Sequence, residues 1–311
     1  MVRSRRWFTQ TLVLTTAGTA LAWLPRSRAQ AQAEAPVVVD TTEAFLRAIG
    51  PNRTIQLLPG EFTLSDITPT WRSPYARFVS VFDGYELVIS EVENLRIVGA
   101  DNTLSRLLTR PRYADVLKFF NCRNISFDNL ELAHTMDAGT CRGSVLAFAN
   151  CDTVAVDRCV LFGSGTHGIE AEGLGKLTCT ESIIRDCTYG ILCFNQVSQA
   201  RFERCQFFQN RGFSMIDLLN CEQVKFFDCR MYDNAHIPDL SLIGNDFMFN
   251  VMDSEGIELV QSQLHHNRIR HLAPYAGAIA ILNTSIAENS FAPDSLYPTD
   301  DTYQSTPFCP V

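Results

Sequence analysis

Four side chains in the middle of the chain carry the types that catalysis needs: Asp186, Asp233, Arg211 and His167. Carboxyls that approach each other share a proton or hold a cation, and beside a base they can protonate a leaving group. With Asp186 and Asp233 as acids, and Arg211 or His167 assisting, the set would suit cleavage of a glycosidic bond. A lyase would instead place an Arg or Lys base near a carboxylate-bound Ca²⁺. Around the four stand Arg110, Arg112, His134, Asp137, Arg142, Tyr189, Phe213, His236 and Asp239 as candidate substrate contacts. Tyr189 and Phe213 can form a platform for sugar rings. Each residue also has a plainer reading. Asp is a common turn former, His167 lies in Gly-Ser-Gly-Thr-His-Gly, and Arg142 and Arg211 can cover neighbouring acids. His265 and His266 are adjacent, and adjacent residues in a strand point to opposite faces, which argues against a joint metal role.

What would position these residues is a degenerate repeat. Anchored on its first apolar residue it begins at Leu95, Ile125, Val154, Leu177, Ala200, Val224, Ile257 and Ile279. Two positions later stand Ile97, Phe127, Val156, Cys179, Phe202, Phe226, Leu259 and Ile281; seven positions later, or nine in the long first coil, stand Leu104, Leu132, Leu161, Ile184, Phe207, Met231, Leu264 and Ile286. Alternation with period two marks strands. Three short strands and three turns need about 22 residues, one coil of a stacked β-helix. Cys159, Ser182, Cys205, Cys229, Ser262 and Thr284 form one column of small residues, and Cys122, Cys151 and Cys221 a second. Asn210, Asn234, Asn267 and Asn289 form a third, read as a turn ladder using the left-handed backbone that Asn tolerates.

On these repeats the chain resembles the right-handed parallel β-helix proteins of the pectate-lyase-like superfamily, over residues 54–290. The resemblance implies an all-β, single-stranded right-handed parallel β-helix of about eight to ten coils. It says little of activity, because the superfamily holds lyases, hydrolases, epimerases, maturation proteins and adhesins. Thr166-His167-Gly168 and Arg268-Ile269-Arg270 echo two polygalacturonase fragments, but the acidic motifs that accompany them are missing. Three coils are long, and their extra residues follow Leu104, Leu132 and Asn234. Equal positions lie on one side of a β-helix, so these loops would wall a floor about 19 Å across, made by the three short coils between them. A polysaccharide or other glycan fits such a groove; a noncatalytic carbohydrate-binding or envelope structural protein of the same shape is the alternative.

Residues 1–33 read as a twin-arginine signal peptide. Arg5-Arg6 precede an apolar run, and Ala-x-Ala sites follow it. Its removal deletes five Arg and no acid, taking the net charge from −8 to −13. An acidic exported protein is a poor ligand for nucleic acid, and no stable membrane span is expected after processing. Residues 34–53 read as an N-terminal cap helix, with Asp40 and Glu43 as a capping-box-like pair and Gly50 as the stop. Residues 291–311 have no periodicity and read as a C-terminal tail. Eleven Cys in an exported chain invite disulfides; stacking in ladders with parallel Cβ vectors favours buried free thiols. No Cys-x-x-Cys zinc spacing is present, and Ca²⁺ is the one cofactor the acids suggest.

Overall fold

In this computed structural model the described residues are 35–101, 104–135, 142–163, 167–236, 246–291 and 296–297. Almost all regular structure is parallel strand, and each strand pairs with its equivalents in the coils before and after it. The eight anchors lie rung on rung. Leu95, Ile125, Val154, Leu177, Ala200 and Val224 are direct partners, and the same register carries on through Ile257 to Ile279. Their side chains fill one continuous core with those two and seven positions later. Leu107, not Leu104, partners Leu132. Leu104 is 47% exposed, because the first long coil takes up part of its extra length before strand Ser105–Thr109.

Two corners of the coil are built alike through most of the stack. One residue adopts left-handed backbone, and the next buries a small or amide side chain. Arg158, Glu181, Arg204, Asp228, Gln261 and Asn283 have φ of 49–53°, and they precede Cys159, Ser182, Cys205, Cys229, Ser262 and Thr284. At a second corner Asp186, Gln209, Asp233, His266 and Glu288, at φ 55–57°, precede Cys187, Asn210, Asn234, Asn267 and Asn289. The Asn column is therefore not the left-handed position expected of it. That role falls to the residue before, which leaves the amides free to turn inward and bond to one another. Asn210 Nδ2 donates to Asn234 Oδ1 at 3.0 Å, Asn234 Nδ2 to Asn267 Oδ1 at 2.9 Å, and Asn267 Nδ2 to Asn289 Oδ1 at 2.8 Å.

Among the described residues eight cysteines are buried free thiols. Cys193 is disulfide-bonded, against the expectation of free thiols, and its partner lies outside the described residues. The reason is direction: Leu192 and Phe194 enter the core and Cys193 does not. The helix near the start is Thr42–Ala48, and its N-cap is Thr41, whose hydroxyl accepts from Ala44 N. The Asp40–Glu43 box does not form, and the helix ends at Ile49, one residue before Gly50. Phe45 and Leu46 are fully buried. Among the described residues no helix is long and apolar enough to cross a membrane.

Candidate functional site

The strands that precede the anchors carry a column, facing away from the core, that is mostly buried where a solvated sheet face would be expected. Its register runs Val88, Lys118, Ala147, Glu170, Cys193, Asp217 and Asn250. The small Ala147 separates Lys118 from Glu170, and the group closes around it. Lys118 Nζ lies 3.3 Å from Asp115 Oδ2 and 3.5 Å from Glu86 Oε1. Ser144 ties the acids together: its backbone N donates to Asp115 Oδ1 at 2.7 Å and its hydroxyl to Glu170 Oε2 at 2.8 Å.

Asp115 is held there by its loop. The Asp83 carboxylate accepts from the backbone N of Arg112 (2.6 Å) and Tyr113 (3.1 Å). The Arg112 carbonyl accepts from Arg142 N and Gly143 N at 2.9 and 3.0 Å. A Cβ on Gly143 would sit 1.9 Å from the Ala114 carbonyl oxygen, so only glycine lets the two loops touch. Burial, with Glu170 and Glu86 nearby, pushes the Asp115 carboxyl up to about 7, although Lys118 pulls the other way. Glu170 is raised too, again chiefly by burial. Burial works against the Lys118 charge, but Asp115 and Glu86 outweigh it and raise the ammonium. The cluster can thus give or take a proton near neutrality.

Further along the column Asp217 is 4% exposed, and Asn250 Nδ2 donates to its Oδ1 at 2.8 Å. Asn250 Oδ1 is buried without a donor. A proton on Asp217 would complete the pair as carboxylic acid and amide. Burial raises Asp217 to about 7. A folded pKa above the unfolded value of about 3.9 means stability that is complete below about pH 4 and lost as pH rises through 7. Asp217→Asn keeps both hydrogen bonds without a proton. The variant should match the parent at pH 4 and exceed it by about 2–4 kcal/mol at pH 8, read from urea unfolding at both pH values.

The residues singled out from the sequence fall elsewhere. Asp186 and Asp233 share a corner column, but Gln209 stands between them, so two rungs, about 9.6 Å, part the acids. They are not the close pair expected. Asp186 pairs with Arg185; Asp233 and Arg211 are exposed. His167 is fully buried with neither ring nitrogen hydrogen-bonded, and burial pushes it down to about 3. It is a neutral interior side chain, not a base facing a groove. His134 is also buried and lowered by burial, and its Nε2 lies 2.7 Å from the Ala114 carbonyl, under the Asp115 loop. Tyr189 and Phe213 pack on each other, centroids 5.7 Å apart, with Phe213 buried. His236 Nδ1 lies 3.5 Å from Asp246 Oδ1. Arg110 pairs with Asp66. Arg110 and Arg112 line a cleft of about 380 Å³ with Asp83, Tyr85, Phe78 and Pro69. Arg142 is exposed at the loop contact. Asp137 and Asp239 lie outside the described residues. His265 and His266 do not diverge: their Nδ1 atoms are 2.9 Å apart, because His266 is a left-handed corner residue.

Of this arrangement the sequence reading missed Glu86, Asp115, Lys118, Ser144, Glu170, Asp217 and Asn250. A signal for part of it exists. Counting seven residues back from each of the first seven anchors gives Val88, Lys118, Ala147, Glu170, Cys193, Asp217 and Asn250. Among the described residues no group of three or more His, Cys, Asp or Glu is disposed to hold a metal ion. Within the acid cluster Lys118 takes the place of a cation, so the cluster does not fit Ca²⁺.

The family described as right handed beta helix region matches residues 117–292. Two solved structures share the fold at low identity. Pectate lyase pelN from Paenibacillus sp. 0602 aligns with a TM-score of 0.56 and 9% identity, covering 87% of this chain and 84% of that one. The pectin methylesterase from Aspergillus niger aligns at 0.53 and 11%, covering 88% and 92%. No functionally curated protein matches the sequence. With more than half of its residues in that match, and its anchors stacked in parallel register, the chain belongs to the right-handed β-helix family.

Proposed function

We propose that this is an exported enzyme that engages an extended polysaccharide on the outer face of the β-helix and acts on it by acid–base chemistry. The observation that carries the reading is the linked set Asp115, Ser144 and Glu170, with Lys118 and Glu86 beside it. Asp115 holds a carboxyl that titrates near neutral pH. Lys118 reaches solvent, its side chain 38% exposed, and it can steer an acidic or hydroxyl group of a sugar toward the carboxyls. The cleft at Arg110 and Arg112 adjoins the same loop and extends the surface along the stack. Pectin methylesterase and pectate lyase, whose folds this chain shares, are both named for pectic substrates, and that supports a carbohydrate as ligand.

Export is supported by the twin-arginine pattern and by the Cys193 disulfide, since such bonds persist in oxidising compartments. The periplasm or the extracellular space is the working location.

The test is a product screen. The protein is incubated with neutral and uronic-acid polysaccharides, with Ca²⁺ or with chelator, and new reducing ends and unsaturated products are read. Product is expected from at least one polymer, lost in Glu170→Gln and kept in Asp186→Asn. Unsaturated ends would assign a lyase and saturated ends a hydrolase. Absence of product from every polymer would overturn the enzyme reading in favour of a noncatalytic binding or envelope protein.

A further inference from the structure

The geometry points to a surface site for a divalent transition metal at His265 and His266, separate from the acid cluster and independent of the function proposed above. Neighbouring residues of a strand normally send their side chains to opposite faces. Here the chain turns at His266, with φ 57°, and the two Nδ1 atoms come within 2.9 Å of each other. Their rings stand nearly perpendicular, at 87°.

Both rings are already oriented. His265 stacks on Tyr232 with centroids 5.2 Å apart and planes 7° apart. Tyr232 is itself anchored, its hydroxyl donating to Gln206 Oε1 at 3.2 Å. His266 Nε2 lies 2.8 Å from Glu288 Oε2. When His266 Nε2–H donates to this carboxylate, the ring proton is held on Nε2 and Nδ1 is left as the lone-pair nitrogen, the arrangement that supports metal-binding histidines. A proton then joins the two Nδ1 atoms, and a metal can replace it once that proton moves to His265 Nε2.

The spacing selects among metals. An ion about 2.0–2.1 Å from two nitrogens that are 2.9 Å apart sees them at roughly 90°. That angle belongs to square-planar or octahedral coordination, which favours Cu²⁺ or Ni²⁺. Tetrahedral zinc would need the nitrogens opened to about 3.3 Å. Water completes the shell, and Asp233 lies at the same corner one coil before His266, exposed.

Cu²⁺ titration followed by electron paramagnetic resonance tests the site on the full chain. The expected result is one Cu²⁺ whose spectrum carries coupling to two imidazole nitrogens. That signal should vanish in His265→Phe, which keeps the stack on Tyr232, and in His266→Asn, which tolerates the left-handed corner; both should melt as the parent does. Glu288→Gln, which releases the orienting carboxylate, should weaken binding about 10–100-fold. No Cu²⁺ bound by the parent, or the same two-nitrogen spectrum in both histidine variants, would overturn the proposal.

Discussion

Replacing Asn234 by alanine is expected to cost about 4–6 kcal/mol of stability, the largest loss from any one side chain in the ladder columns. Asn234 is fully buried in the middle of its column. Its Oδ1 accepts from Asn210 N at 3.1 Å and Asn210 Nδ2 at 3.0 Å. Its Nδ2 donates to the Phe207 carbonyl at 3.0 Å and to Asn267 Oδ1 at 2.9 Å. Alanine leaves a buried backbone N–H without an acceptor, at about 1–3 kcal/mol, strips one bond from each neighbouring amide and opens a cavity. Asn289 makes the same kind of bonds at the far end of the column, where it is only half-buried. Asn289→Ala should therefore cost about 1–2 kcal/mol. Urea midpoints of the two variants decide the matter. Equal small losses would mean that the column follows the fold rather than holding it. Stacked repeats share stability only with their neighbours, so the break at Asn234 should also loosen amide exchange protection in the coils on either side.

The fold could be read from the sequence because a β-helix repeats its physics. An inward position must be apolar in every coil, so eight anchors at uneven spacing still align rung on rung. The misreadings have local causes. Asn210, Asn234 and Asn267 look like turn formers by type; that their amides point inward depends on Gln209, Asp233 and His266 taking the left-handed backbone first. Leu104 and Leu107 are both apolar and three residues apart, and only pairing to Leu132 distinguishes them. The site was partly legible. Lys118, Glu170 and Asp217 keep a constant distance from the anchors, and charge inside an apolar strand is a signal in itself. Glu86 and Asp115 lie outside that column, although Asp115 is level with Ser144, each ten residues before its anchor. Glu86 lies on the hairpin of Ala76–Val81 and Gly84–Ser90, and Asp115 on an inserted loop held by Asp83 and Gly143. Contacts across inserted segments leave no period to find. His167 misled for the opposite reason: its glycine-rich sequence suggests an exposed turn, whereas Gly168 packs on Ile184 and the Ile191 carbonyl, and Gly190, one coil on, comes close to the buried ring.

Asp115→Asn is expected to lower product formation by about 10²–10⁴-fold, the usual worth of a general acid or base. The overall fold should survive, because Asn keeps an oxygen for the Ser144 N–H. Loss of turnover alone would not separate a catalytic carboxyl from one that merely positions the loop, so pH carries the decisive reading. With Asp115 at about 7, the parent should show a limb in its rate profile near neutrality. The limb falls with rising pH if Asp115 works as the acid, and rises if it works as the base. Lys118 lowers the carboxyl through its charge. Lys118→Met removes that charge without emptying the space, so the Asp115 carboxyl must hold its proton to higher pH. The limb should move alkaline by about one unit, whichever role Asp115 plays. A Lys118 that only binds substrate would change KM and leave the limb in place. A limb that stays fixed in Lys118→Met, or that persists in the residual activity of Asp115→Asn, would assign the titrating group to another residue and remove Asp115 from the chemistry.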